Sequence, residues 1–307
     1  MRYQGQQILV TGGAGFIGSF LVERLLEEGA ARVIVFDNFY RGRRENLAAC
    51  LDRVELIEGD LRDVPAVASA VAGCQTVFHL AAQSQVRTAL ADPRYCFESN
   101  VTGTFNLLEA SRAAGISRFI FASSREVYGE TLNVAISEDA PLTAKNGYGL
   151  SKVAGELYCR QYSADFAVSI LRLANVYGPR DYGRVIPIFA RQALNGQDLT
   201  LLGGKQVCDF IDVGTVVEMF LRIGSSALPG PLNIGSGSPV SLISLAERIL
   251  AVTGSQASLA YQPQIAAEVA YFVADTRRAQ QQLGLVPPAD SLAHLPAVVN
   301  YLRQHPQ

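Results

Sequence analysis

The chain has 307 residues, 49% hydrophobic and 18% charged, with 26 Lys+Arg against 28 Asp+Glu for a formal net charge of −2. That composition is too apolar for a disordered chain and ample for a large core, and its near-neutral balance gives no general field for nucleic acid or an anionic membrane. No run of about 18 apolar residues is present to make a spanning helix, and the polar stretch Met1–Gln7 before Ile8-Leu9-Val10 lacks the apolar region of a signal peptide.

In chain order, short apolar runs alternate with helical patterns. Strands are expected at Gln7–Val10, Arg32–Phe36, Val54–Glu58, Thr76–Leu80, Arg118–Ala122 and Ala167–Leu173, and helices at Ile17–Glu28, Val64–Val71, Val101–Ala114 and Gly149–Ser163. Such β-α-β units predict an α/β protein with a doubly wound parallel sheet covered on both faces. The first helix carries Ile17, Leu21 and Leu25 on one face with Glu23, Arg24, Glu27 and Glu28 opposite, and Gly29 ends it. After Tyr177 the rhythm loosens. Gly178-Pro179 breaks the chain, a helix is expected near Pro187–Leu194, and Gly/Pro punctuation becomes denser. The expected division is a dinucleotide-binding portion at 1–176 and a smaller α/β substrate-binding portion at 177–307, with some segments of the second returning to the first. The five Cys (50, 74, 96, 159, 208) stand at least 22 residues apart with no C-x-x-C, and the three His (79, 294, 305) are widely spaced. Neither a disulfide framework nor a metal site is expected, and a reducing cytoplasm fits.

Thr11-Gly12-Gly13-Ala14-Gly15-Phe16-Ile17-Gly18 follows a strand and opens a helix. Gly12 permits the tight turn, Gly15 lets the backbone approach a pyrophosphate, and Gly18 lets helix and strand pack closely. The helix N-terminus then offers free N–H groups and partial positive charge. A bare glycine pattern is a weak signal; the strand–turn–helix context gives it meaning. Asp37 ends the second strand, 19 residues after Gly18. A carboxylate there accepts hydrogen bonds from an adenosine ribose and repels a 2′-phosphate, which favours NAD over NADP. Arg41, Arg43 and Arg44 read as a solvated turn rather than a 2′-phosphate site, because Asp37 stands closest. Asp60 is placed either to meet the adenine or to cap the helix from Val64.

Tyr148 and Lys152 are four apart, so on a helix they share a face. A nearby ammonium and a positive nicotinamide would both favour phenolate in a Tyr whose ordinary pKa is about 10. Tyr148 would then take a hydroxyl proton as hydride leaves the same carbon, with Ser124, just past a strand, hydrogen-bonding that oxygen.

Together these motifs resemble an extended short-chain dehydrogenase/reductase of the NAD-dependent nucleotide-sugar epimerase/dehydratase family. The matching residues are Thr11–Gly18, Asp37-Asn38, Gly59-Asp60-Leu61, His79-Leu80-Ala81-Ala82, Asn100-Val101-x-Gly103-Thr104, Ser123 to Gly129, Tyr148 to Lys152 and Leu171 to Pro179, covering 7–180 in order. The resemblance implies a Rossmann domain holding NAD, a C-terminal sugar-nucleotide domain, and a nucleotide-sugar substrate. It implies Phe16, Ile17, Asp60, Leu61, Leu80, Ala81 and Asn100 near the cofactor, with the motif neighbours Asn38 and Ala82, and Asn175 near the sugar diphosphate. It also implies a homodimer paired through Val101–Ala114 and Gly149–Ser163, whose Leu107, Val153 and Leu157 are then either core or interface. The expected chemistry is oxidation of a sugar hydroxyl, at C4 in this family, followed by re-reduction on the other face or by loss of water or CO2.

Two departures bear on the outcome. Related dehydratases carry Asp-Glu where this chain has Arg125-Glu126, and an arginine is no acid at neutral pH. Glu126 is a candidate base for elimination or decarboxylation, or else a partner of Arg125. The family arginine before Asp209-Phe210 is replaced by Cys208, and a later one is missing from the stretch Gln264 to Glu268. Arg180, Arg184, Arg191 and Lys205 are candidate substitutes on the diphosphate. The leading expectation is a 4-epimerase. The alternatives are a dehydratase or decarboxylase using Glu126, an NAD-dependent reductase of a non-nucleotide substrate, and a dinucleotide-binding regulatory protein without turnover.

Overall fold

Along the first strand, Ile8 and Val10 join one buried cluster while Leu9 between them joins another. Side chains with period two therefore feed two cores, one on each face of a sheet. The computed structural model describes residues 1–306 except 132–133, 227, 229 and 264–265. Its first part runs β1 (Gln7–Thr11), α1 (Phe16–Glu27), β2 (Arg32–Asp37), β3 (Glu55–Glu58), α2 (Val64–Val71), β4 (Thr76–His79), α3 (Val86–Ala91), α4 (Pro93–Phe97), α5 (Gly103–Ala114), β5 (Arg118–Ser124), α6 (Gly147–Gln161) and β6 (Ala167–Leu173). The rest runs β7 (Asn175–Tyr177), α7 (Val185–Leu194), β8 (Leu199–Leu202), β9 (Val207–Asp212), α8 (Val213–Ser226), β10 (Gly230–Ile234), β11 (Pro239–Ser241), α9 (Leu242–Thr253), β12 (Leu259–Gln262), α10 (Arg277–Leu283) and α11 (Leu295–Gln304).

Seven parallel strands form the central sheet in the order β3-β2-β1-β4-β5-β6-β10, with Leu9 opposite both Ile34 and Val77. This is a Rossmann-type α/β fold. Leu21, Val22 and Leu25 of α1 and Val216, Val217 and Phe220 of α8 cover one face. Val67 and Ala70 of α2, Leu107 and Leu108 of α5, and Cys159 of α6 cover the other. The seventh strand comes from far along the chain: β10 pairs with β6, Leu232 opposite Leu171. A third cluster, including Phe189, Leu201, Phe210, Leu245 and Val298, forms beneath two small sheets, β7-β9-β11 and β8-β12.

Three local features differ from the expectations. The single helix expected over Val101–Ala114 is α5 preceded by a π-helical turn at Glu98–Thr102, whose wider coil carries the buried Asn100. The cap of α2 is Asp63, accepting from the Ala66 N–H at 3.2 Å, and not Asp60. The arginines after β2 are no common solvated turn. Arg44 pairs with Glu58 at the surface, but Arg41 donates to Ser84 at 2.9 Å and Arg43 lies 3.9 Å over the Tyr182 ring, tying the β2 loop to the segment before α7.

Candidate active site

The turn between β1 and α1 is built as a cradle. Gly12 has φ +71°, and a Cβ there would lie 2.6 Å from the Ala81 N and 2.8 Å from its Cα. Only glycine fits that approach. A Cβ on Gly18 would strike the Gly12 carbonyl oxygen. The first turn of α1 has no acidic residue and no side-chain cap, so its N–H groups remain free for an anion. Asp37 at the end of β2 accepts from the Ala14 N–H at 3.0 Å and the Phe39 N–H at 2.9 Å, and burial pushes its carboxyl up. Next to it a cavity of about 90 Å³ is lined by Gly12, Asp37, Asn38, Asp60, Leu61, Leu80, Ala81 and Ala82. Asn38 donates to Asp60 at 2.9 Å, and hydrogen bonds from Arg62 hold that carboxyl down at about 2. Tyr40 and Tyr95, ring centroids 4.8 Å apart, close the same cavity. Neither Tyr was legible beforehand, because an isolated aromatic in a loop carries no pattern. The glycine cradle, free amides and acid-lined cavity fit a dinucleotide.

Beyond this lies a cleft of about 800 Å³, lined by Ser124, Glu126, Tyr148 and Asn175 from the expected set. Arg184, which lines the cleft, lies over the Phe16 ring, and Ile17 lines the cleft itself. Asn146 caps α6 by accepting from the Gly149 N–H at 2.9 Å, and the helix then turns Tyr148 and Lys152 inward, both buried. Ser124 lines the same cleft as Tyr148 and acts to lower its phenol. Lys152 donates to the Ala122 carbonyl at 2.8 Å, and its Nζ is 6.0 Å from the Tyr148 ring centroid. Burial depresses Lys152 to about 8 and raises Tyr148, against the lowering offered by Ser124 and Arg184. In the protein alone, desolvation thus outweighs Ser124 and the Arg184 cation at the phenol.

Asn100 joins the two halves of the site. Its carboxamide accepts from the Gln83 N–H at 2.7 Å and donates to Ser151 Oγ at 2.9 Å, and Ser151 donates to the Tyr148 carbonyl at 2.7 Å. His79 is fully enclosed between Thr11 and Thr104, at 2.7 and 2.8 Å, and burial keeps it neutral. Among the described residues no group of three or more His, Cys, Asp or Glu could hold a metal ion.

The substrate wall is less regular. Glu126 is buried, its Oε1 3.0 Å from Arg125 and its Oε2 accepting from Asn146 at 2.8 Å. Asn175 lines the cleft and donates to the Asp209 carbonyl at 3.2 Å. Cys208 is buried beside Arg125, and desolvation pushes its thiol up. Of the four candidate substitutes for the missing arginines, Arg184 lines the cleft. Arg180 is turned to Glu23 at 2.7 Å, Arg191 donates to the Tyr182 carbonyl at 3.1 Å, and Lys205 is exposed. Part of the stretch expected to have lost the second arginine, 264–265, lies outside the described residues. From that stretch Glu268 enters the cleft, half-buried and 3.8 Å from Arg87.

The family model described as the NAD dependent epimerase/dehydratase family matches residues 8–235. The chain belongs to that family. Among curated members, a UDP-glucose 4-epimerase of Mycolicibacterium smegmatis is 35% identical over 97% of this chain and 99% of its own. A solved UDP-glucose 4-epimerase of Thermotoga maritima, in complex with UDP-glucose, superposes with a TM-score of 0.92 at 33% identity, covering 97% of this chain and 99% of the other. The dTDP-glucose 4,6-dehydratase of Streptomyces venezuelae, solved with NAD bound, gives 0.93 at 30% identity, covering 97% of both chains. The protein is therefore an NAD-dependent enzyme of the epimerase/dehydratase family, with epimerases and dehydratases alike among its relatives.

Proposed function

We propose that this family member is a 4-epimerase of a nucleotide sugar of the UDP-glucose type. The observation that carries the reading is the Arg125–Glu126 pair. Both oxygens of Glu126 are engaged, by Arg125 at 3.0 Å and Asn146 at 2.8 Å, and the residue beside it is a permanent cation. Elimination needs a free base and an adjacent acid, and this pair supplies neither. A dehydratase is the second reading, favoured by Glu268, whose carboxyl is pushed up by burial and by Glu126.

Gly12, Gly15, Gly18 and the α1 amides would hold the NAD pyrophosphate, Asp37 and Asn38 the adenosine ribose, Asp60, Leu61, Leu80, Ala81 and Ala82 the adenine side, and Tyr148 and Lys152 the nicotinamide ribose, with Phe16, Ile17 and Asn100 framing the cleft. NAD+ supplies the hydride acceptor. Tyr148 takes the C4 hydroxyl proton, and Ser124 hydrogen-bonds the same oxygen and steadies the phenol. Lys152 favours the phenolate, and Asn175 is assigned to the sugar diphosphate. Incubation with UDP-glucose followed by NMR should yield the C4 epimer with no net change in NADH; net NADH turnover would point to a reductase instead.

A second copy of the chain is proposed to dock on the outer faces of α5 and α6, where Phe105, Leu150, Leu157 and Tyr158 are exposed and the Phe105 and Tyr158 rings meet at 5.6 Å. Leu107 and Val153, by contrast, pack inward. Light scattering should give twice the 33.0 kDa of one chain. The five buried, unpaired thiols support a reducing cytoplasm.

A further inference from the structure

We infer that Glu156 is a positioning residue of the reaction: gripped by Arg172, its carboxylate ties the α6 face of Tyr148 and Lys152 to the strand end of Ser124 and is the anion behind the Lys152 ammonium. The inference rests on the roles given to Tyr148 and Lys152 above. Glu156 and Arg172 are fully enclosed, at 0% and 1% exposure. Arg172 Nε donates to Oε1 at 2.9 Å and Nη2 to Oε2 at 2.7 Å, and the Ser123 hydroxyl donates to Oε1 at 2.6 Å. Exposed Arg160, one turn further along α6, reaches Oε2 at 3.5 Å. A buried ion pair gives little stability beyond an apolar pair of the same volume. Its place in the fold says what else it does. Ser123 adjoins Ser124 on β5, and Glu156 lies one helical turn from Lys152 and two from Tyr148. Arg172 of β6 stands opposite Ser123 on one side and Asn233 of β10 on the other. Its Nη1 donates to the Tyr128 hydroxyl at 2.9 Å and the Glu138 carbonyl at 2.8 Å, and that hydroxyl donates to Asn233 Oδ1 at 2.7 Å. One carboxylate and one guanidinium thus join the helix of Tyr148, the strand end of Ser124 and the chain that follows the Arg125–Val127 turn.

The surroundings of Lys152 give the carboxylate an electrostatic part as well. On α6 itself Lys152 faces Tyr148, Glu156 and Cys159. From other elements it faces Cys96 of α4, His79 of β4, and the Phe121 ring and Ala122 carbonyl of β5. Burial drives the ammonium toward its neutral form, and Cys159, Cys96 and Glu156 oppose that. Both thiols are pushed up by their own burial, so at neutral pH they carry no charge. The Tyr148 phenol is raised and His79 is neutral. Among these groups the Glu156 carboxylate is the charge that keeps the proton on Lys152. Arg172 in turn supplies the partner without which a carboxylate is costly to bury.

The chain has three lysines, Lys145, Lys152 and Lys205, and of these only Lys152 is buried. NMR titration of the full-length protein with isotope-labelled lysine therefore follows Lys152 by itself, the two exposed residues serving as references. Glu156→Gln keeps the shape of the side chain and removes its charge. The Lys152 midpoint should fall by about one pH unit, because the ammonium loses its anion while the Arg172 cation stays. The kcat for C4 epimerisation of UDP-glucose should fall at least about tenfold at the same time. If that variant does not fold, Glu156→Met combined with Arg172→Met replaces the pair by apolar residues, which a core tolerates. The double variant should fold, lower the same midpoint and lose turnover, which a purely structural pair would not do. An unmoved Lys152 midpoint in a folded variant overturns the inference, and so does a wild-type kcat. Failure of both variants to fold would make the pair structural and overturn it too. Absence of UDP-glucose turnover by the wild-type protein would instead overturn the nucleotide-sugar reading, with the Lys152 midpoint still deciding the part played by Glu156.

Discussion

The two walls of the cleft are made differently. The cofactor wall is built from short-range rules: a glycine turn, a carboxylate at a strand end, and two residues one helical turn apart. The substrate wall is assembled from side chains far apart in the chain, with Arg125 beside Cys208, Glu268 near Glu126, and Arg41 behind Asp181. The first wall is fixed by backbone geometry and accepts little change. The second is a set of charge pairings that can be redealt.

Several substitutions would break or sharpen that contrast. Tyr148→Phe should lower turnover by about 10²–10⁴-fold with NAD affinity nearly intact, because the phenol moves a proton while the cradle does the binding. Stopped-flow turnover and a cofactor titration separate the two; a wild-type rate would remove Tyr148 from its role.

Lys152→Met should abolish activity yet stabilise the cofactor-free protein. A shift from 10.5 to about 8 corresponds to about 3 kcal/mol of penalty on the buried ammonium. Since the folded pKa is the lower one, the penalty is full below pH 8 and is relieved as pH rises from 8 to 10.5. The gain in urea denaturation should therefore be largest near pH 7 and shrink above pH 8; a loss of stability at pH 7 would contradict it.

Asp37 should give NAD at least about tenfold preference over NADP, about 1.4 kcal/mol. Its carboxylate is pinned by the Ala14 and Phe39 amides and cannot swing away from a 2′-phosphate. Equal affinities by fluorescence titration would refute its role.

The sequence made the first wall readable because the spacing itself sets the distances. Four residues on α6 bring Tyr148 and Lys152 to one face, and Gly12 is required by the backbone opposite it. The π-helical turn at Glu98–Thr102 left no mark, since the pattern of Val101–Ala114 suits an unbroken helix as well. Arg41 was unreadable for another reason: a basic run after a strand is solvated unless something distant covers it, and here the segment at 181–184 does. The pairing of Arg125 with Glu126 was one of two open readings, and adjacency along the chain could not decide it, because neighbours in an extended segment point apart. The 3₁₀ turn at Arg125–Val127 brings both to the cleft.

Solvent deuterium at C5 of the product tests the central claim most directly. With the enzyme in D2O and UDP-glucose as substrate, internal hydride return inverts C4 and leaves the C5 proton in place. Glu126→Gln should then cost less than about tenfold, against about two orders of magnitude if Glu126 were the eliminating base. The account predicts an inverted C4 with hydrogen retained at C5; deuterium at C5, lost on Glu126→Gln, would contradict it and make the enzyme a dehydratase.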